Sequence, residues 1–228
     1  MKKVICIGDS ITQGVGSIEP SVFSYVAQLN VMLGKDYDVI NCGRDGSTLM
    51  SAPNGIRSQY RLLTCFKLAI GSAKTAFDSG EETTVSIMLG TNDADTYDYG
   101  FTDDADEYFR IYHDEFIKEY FFLIDSILDV NPNAKFIICK SPYSYDGIKH
   151  KNFGNLKSVW SFQDEIVSLC ENRKIKHILN DMAAATAPDI IDESKVSAYY
   201  KDRLHPNQVG HAYFAHFFCE AVKKAERL

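Results

Sequence analysis

An α/β protein, a three-layer α/β/α sandwich around about five parallel strands, is expected from three features of this 228-residue sequence. Short apolar, β-branched runs alternate with longer amphipathic segments along its whole length. No Pro/Gly/Ser-rich linker, internal repeat or low-complexity block interrupts that alternation. A hydrophobic content of 45% with 24% charged residues is ordinary for a globular chain. The whole chain, 1–228, is therefore read as one domain.

The elements follow in order. Residues 3–7, 37–41, 84–89, 135–139 and 176–179 are strand candidates, short and apolar enough to be buried on both faces of a parallel sheet. Between the first two, Phe23, Val26, Ala27, Leu29 and Met32 recur at helical spacing, and Gly34 ends the pattern. A helix is expected over 56–77. The wider stretch 51–82 exceeds a minimal crossover and leaves open a lid or an interface. From 108 to 128, Phe109, Tyr112, Phe116, Tyr120, Leu123, Ile124, Ile127 and Leu128 form a second stripe that stops before the turn pair Asn131-Pro132. Helices over 156–172 and 208–225 complete the set. Crossover helices on both faces make a doubly wound sheet, which binds ligands outside the carboxyl ends of its strands.

Charge narrows the function. With 24 Lys+Arg against 31 Asp+Glu the formal net charge is -7, which offers no electrostatic footprint for nucleic acid or an anionic membrane. The apolar run after Met1-Lys2-Lys3 is too short for a secretory leader, and no stretch approaches the roughly 18 apolar residues of a membrane span. A cytoplasmic protein is expected. Cys6, Cys42, Cys65, Cys139, Cys170 and Cys219 stand singly, without a Cys-x-x-Cys pair, and read as reduced thiols, with neither a zinc site nor a disulfide framework.

The carboxyl ends of the strands carry the polar blocks. After the first comes Gly8-Asp9-Ser10-Ile11-Thr12-Gln13-Gly14, which puts a serine where strand turns into helix and backbone amides face a developing negative charge. Alone, it fits an N-cap serine equally well. After the second comes Asn41-Cys42-Gly43-Arg44-Asp45-Gly46-Ser47-Thr48, whose glycines allow close approach or positive φ. After the third, Gly90-Thr91-Asn92-Asp93 supplies a carboxamide, a neutral donor for an oxyanion or an Asx cap. Near the C-terminus stands Asp202-Arg203-Leu204-His205-Pro206, where a carboxylate three residues before a histidine can reach Nδ1–H and leave Nε2 as a base. Pro206 is expected in the first turn of the closing helix. The other histidines are read as structural or solvent-facing.

These blocks and their order resemble the SGNH hydrolases, also called the GDSL-like esterase and lipase superfamily, from Gly8 to His205. The resemblance implies a flavodoxin-like sandwich with Ser10 as nucleophile and Asp202 and His205 completing a triad. It also implies an oxyanion hole formed by the Ser10 amide, Gly46 and Asn92. Gly46 is chosen over Gly43 because, counted from Asn41 and followed by Ser47-Thr48, it takes the family's second-glycine position. The implied activity is a serine esterase forming an acyl-serine from a small carboxylic ester. Residues 87–93 and 116–127 look like bacterial esterases that deacetylate sugars, which favours a short-chain acyl (acetyl) ester of a sugar or similar small molecule. Lysophospholipase or acyl-thioester hydrolysis is the alternative, and a non-catalytic small-molecule-binding protein the alternative of another class.

No cofactor is implied and no metal. Asp93, Asp95, Asp98, Asp103, Asp104 and Asp106 lack the spacing of an EF-hand and read as a solvated acidic loop. Tyr97, Tyr99 and Phe101 follow the Asn92 block, and Tyr143 and Tyr145 follow Ser141-Pro142. Tyr97 and Tyr143 are the candidate substrate-binding residues, although such rings suit a core as well as a pocket. Trp160 is expected in the core. The expected partner is a small-molecule ester, with no nucleic acid or membrane, and a homo-oligomer is left open.

Overall fold

A computed structural model of the chain describes residues 1–50, 59–94, 105–145 and 153–228. Five strands, β1 (Lys2–Gly8), β2 (Tyr37–Gly43), β3 (Glu82–Met88), β4 (Lys135–Lys140) and β5 (His177–Asp181), pair in the order β2-β1-β3-β4-β5. All four pairings are parallel, with Gly8 level with Gly43 on one side and Met88 on the other. This is the flavodoxin-like order, and its reversal lies between β1 and β3.

The strands alternate between two cores, as a period of two requires. Ile5, Ile7, Val85, Ile87, Phe136 and Ile138 point to one face. Val4, Cys6, Met88, Ile137 and Cys139 point to the other. The first face is covered by α4 (Gln59–Asp78), α5 (Ala105–Val130) and α6 (Phe153–Asn172), which contribute Phe66, Ala69, Phe116, Tyr120, Ile124, Val159 and Phe162. The second is covered by α3 (Tyr25–Leu33) and α9 (Gln208–Ala225), through Tyr25, Leu29, Phe214 and Phe218. Tyr25 and Phe218 stack at 4.4 Å between centroids, joining the two helices.

Four short helices complete the described elements: α1 (Ser10–Gln13), α2 (Pro20–Phe23), α7 (Met182–Ala185) and α8 (Val196–Tyr199). The helix expected over 23–33 begins at Tyr25 instead, because Ser24 is its N-cap and accepts the Ala27 N–H at 3.1 Å. Pro206 also departs from expectation. The closing helix starts at Gln208 behind an Asn207 cap, and Pro206 pairs with Tyr200 in an isolated antiparallel bridge.

Most of the 51–82 stretch is α4, a crossover helix with Leu62, Phe66, Ala69, Ala73 and Ala76 buried; residues 51–58 lie outside the described residues. The six cysteines are free thiols, all buried except the half-buried Cys65. Among the described residues, no helix is long and apolar enough to cross a membrane.

Candidate active site

The site stands at the carboxyl ends of β1, β2 and β3, where the strand order reverses. Ser10 is the first residue of α1, whose N-cap is Asp9 rather than the serine. The Asp9 carboxylate accepts the Ile11 N–H at 3.0 Å, while the Ser10 N–H, in the first turn, has no intrahelical acceptor. Asp9 is almost fully buried, and burial raises its carboxyl to about 6 against the pull of the Ile11 N–H. Ser10 itself retains 5% exposure.

The Asp202–His205 loop approaches from the far end of the chain. His205 Nε2 lies 3.0 Å from Ser10 Oγ, and Nδ1 lies 2.8 Å from Asp202 Oδ2. A carboxylate only accepts, so Nδ1 carries the proton and Nε2 is left to accept the serine hydroxyl. The other Asp202 oxygen accepts the backbone N–H of His205 at 2.7 Å and of Leu204 at 3.2 Å. Partial burial pushes the Asp202 carboxyl up, but the hydrogen bonds from the His205 backbone and ring outweigh it and hold the group below its ordinary value.

The loop is tight and clamped. Arg203 has φ +70°, its guanidinium pairs with Glu193 at 2.7 Å, and its carbonyl accepts the Tyr145 N–H at 3.1 Å. Lys201 donates its N–H to the His205 carbonyl at 2.9 Å.

The β2 loop supplies the two glycines, which serve different purposes. A Cβ on Gly43 would fall 2.2 Å from the backbone nitrogen of Gln13, so this position is bare to let α1 pack against β2. The Gly43 N–H is already donated to the Asn41 side chain at 2.9 Å. Gly46 instead has φ +68° inside a turn closed by the Ser47 N–H on the Arg44 carbonyl at 3.1 Å, a conformation that favours glycine.

Asn92 follows β3 and is 6% exposed; its Nδ2 donates to the Ser47 carbonyl at 3.0 Å, next to Gly46. Asp93 accepts the Leu49 and Met50 N–H groups at 2.9 Å each, binding the two loops together, and burial raises its carboxyl to about 7.

Ser10, Asp202, His205, Gly46 and Asn92, distant in sequence, are thus carried by loops that touch or interlock. Tyr143 stands two residues before Tyr145, whose N–H is held by the Arg203 carbonyl of the Asp202–His205 loop. It is 9% exposed in a small cluster with Tyr145, Ile191, Val196 and Tyr200, and its ring lies 5.0 Å from Tyr145 and 6.2 Å from Trp160. Tyr97, Tyr99, Phe101, Asp95, Asp98, Asp103 and Asp104 lie outside the described residues. Trp160 is half-buried against the core, its indole N–H on the Ser141 carbonyl at 2.8 Å. Among the described residues, no group of three or more His, Cys, Asp or Glu side chains has the arrangement of a metal site.

Asp9 as helix cap was missed, although Asp just before a helical serine is a recognised start signal. Arg203 carried no such signal, because positive φ at a non-glycine residue is not written in local sequence.

Sequence comparison settles the family. The model of the GDSL-like Lipase/Acylhydrolase family matches residues 6–213. This chain belongs to the GDSL-like lipase/acylhydrolases. It is an acylhydrolase of ester bonds. The acylhydrolase is similar in fold to the M. smegmatis aryl esterase, at 17% identity and TM-score 0.66, covering 99% of this chain and 100% of that one. A carbohydrate acetylesterase from Sinorhizobium meliloti, Est24, aligns at 16% identity and TM-score 0.61 over 98% and 99% of the two chains. An acetyl xylan esterase, AlAXEase, aligns at 20% identity and TM-score 0.61 over 96% and 99%. A search of curated proteins found no match for the acylhydrolase.

Proposed function

We propose that the acylhydrolase is a serine esterase that removes a short acyl group, acetyl above all, from a sugar or a similar small alcohol. The observation that carries the chemistry is the relay from Ser10 Oγ to His205 Nε2 at 3.0 Å and from Nδ1 to Asp202 at 2.8 Å.

Ser10 Oγ attacks the ester carbonyl while His205 Nε2 takes the hydroxyl proton. The imidazolium is stabilised and oriented by Asp202, which stays ionised because its hydrogen bonds hold its carboxyl low. The tetrahedral oxyanion is met by the Ser10 N–H, the Gly46 N–H and the Asn92 amide, whose second N–H is left after the first is given to Ser47. Collapse breaks the bond to the leaving alkoxide, which receives the proton from His205 and departs as the alcohol. Water then attacks the acyl-serine, gives its proton to His205 and releases the acid, and the proton returns to Ser10 Oγ.

The short-acyl reading draws on the resemblance of 87–93 and 116–127 to sugar deacetylases and on two similar folds that are acetylesterases of carbohydrate. Hydrolysis of p-nitrophenyl acetate, butyrate, octanoate and palmitate, with Ser10→Ala as blank, tests it. A steep preference for acetate supports the reading. A preference for octanoate or longer replaces it with a lipid or thioester substrate, and no Ser10-dependent hydrolysis of any ester removes the esterase mechanism altogether.

A further inference from the structure

The geometry points to Gln13 as a positioning residue for the oxyanion site, a role that rests on the acyl-transfer reading above. Gln13 ends α1, the four-residue helix that Ser10 opens. Its side-chain Oε1 accepts the backbone N–H of Asp45 at 2.6 Å, across 32 residues of sequence. Asp45 immediately precedes Gly46 in the turn from Arg44 to Ser47, so the bond fixes the peptide one step before the proposed donor.

Two further contacts join the same elements. Asn41 Nδ2 donates to the Thr12 carbonyl at 2.9 Å, satisfying an acceptor that the end of a helix leaves open. The bare Gly43 lets the Gln13 backbone approach within what would be 2.2 Å of a Cβ. These two hold the body of β2 against α1. The Gln13 side chain is the one of the three that reaches past Gly43 into the turn that carries Gly46.

An oxyanion hole accelerates a reaction because its donors are aimed before charge develops. Here the Ser10 N–H is on α1 and the Gly46 N–H on the β2 loop, so their relative placement depends on contacts between the two elements. A neutral amide suits that task. Its carbonyl oxygen supplies the acceptor at the reach that the Asp45 N–H requires.

The experiment compares Gln13→Met, which keeps the length and removes the acceptor, with Gln13→Glu, which keeps an acceptor, on p-nitrophenyl acetate. Gln13→Met is expected to lower kcat roughly tenfold, less than the 10²–10³ that losing a whole donor costs, with KM and the unfolding midpoint nearly unchanged. Gln13→Glu is expected to recover a substantial part of that loss. Gln13→Asn, which keeps the amide but falls short of Asp45, should match Gln13→Met and stands in for it if the methionine variant folds poorly. An unchanged kcat in the variants lacking the bond, a loss confined to KM, or a Gln13→Glu as slow as Gln13→Met overturns the assignment. Failure of the underlying reading looks different: Ser10→Ala would then be as active as wild type, whatever the Gln13 variants do.

Discussion

Two side chains at the site separate the chemical step from binding. Asn92 has one N–H committed to Ser47 at 3.0 Å, so its contribution to an oxyanion comes through the other. Asn92→Ala is expected to lower kcat by about 10²–10³ with little change in KM, in steady-state kinetics on p-nitrophenyl acetate. A change confined to KM would remove Asn92 from the hole. Asp202→Asn keeps the shape of its residue but can present an N–H to His205 Nδ1, favouring the tautomer with the proton on Nε2. A fall of up to about 10⁴ in kcat with unchanged unfolding follows, and a loss under tenfold would argue that Asp202 does not orient the base.

At the level of elements, the site is an assembly of tight turns, and the turn at Arg203 is the least ordinary. Its φ of +70° is a conformation in which a side chain is strained and glycine is not. Arg203→Ala and Arg203→Gly both lose the pair with Glu193, so their difference isolates the backbone. The glycine variant is expected to be about 0.5–1 kcal/mol more stable in urea unfolding, the strain relief exceeding glycine's entropic disadvantage. Equal stability, or a more stable alanine variant, would show that the turn carries no strain.

The same scale explains what the sequence made legible. The five strands and the long helices were readable because the strands are short continuous apolar runs, as Val4 to Ile7 on β1, and the helices carry a period of about 3.6, as on the stripe through Phe116, Tyr120 and Ile124. The helices α1, α7 and α8 have four residues each, too few to show a period. The apolar spacing runs through Ser24 and places it in the helix interior, yet its hydroxyl caps α3. The residues at the strand ends were legible as chemistry. The contacts that align them, Gln13 to Asp45 and Arg203 to Tyr145 and Glu193, were not, since each joins positions distant in sequence or depends on a backbone angle.

Across the whole molecule, buried titrating groups couple stability to pH in opposing directions. His211 is fully buried, accepting the Tyr25 N–H at Nδ1 and donating from Nε2 to the Val15 carbonyl, both at 3.2 Å. Burial lowers its pKa to about 4, outweighing the Val15 carbonyl. Between pH 4 and 6.5 the unfolded chain therefore binds more protons at this residue, and its contribution to stability is complete above 6.5 and lost as pH falls toward 4. Asp9 and Asp93, raised to about 6 and about 7, act oppositely: their contribution is present below 3.8 and is lost as pH rises through those values. Comparison with His211→Gln isolates the histidine. The stability of wild type relative to the variant should grow by about 2 kcal/mol between pH 4.5 and 7 in urea unfolding, and a difference that does not move with pH would contradict a neutral buried His211.

Two ends of the chain, Ser10 and His205, meet at the switch point of the sheet, and the account depends on that meeting making the serine a nucleophile. Labelling the folded protein with a fluorophosphonate, followed by peptide mass spectrometry, tests it most directly. One adduct per chain, on Ser10 and absent from Ser10→Ala, is the predicted result. A folded wild type that stays unlabelled, or is labelled at another residue, would contradict it.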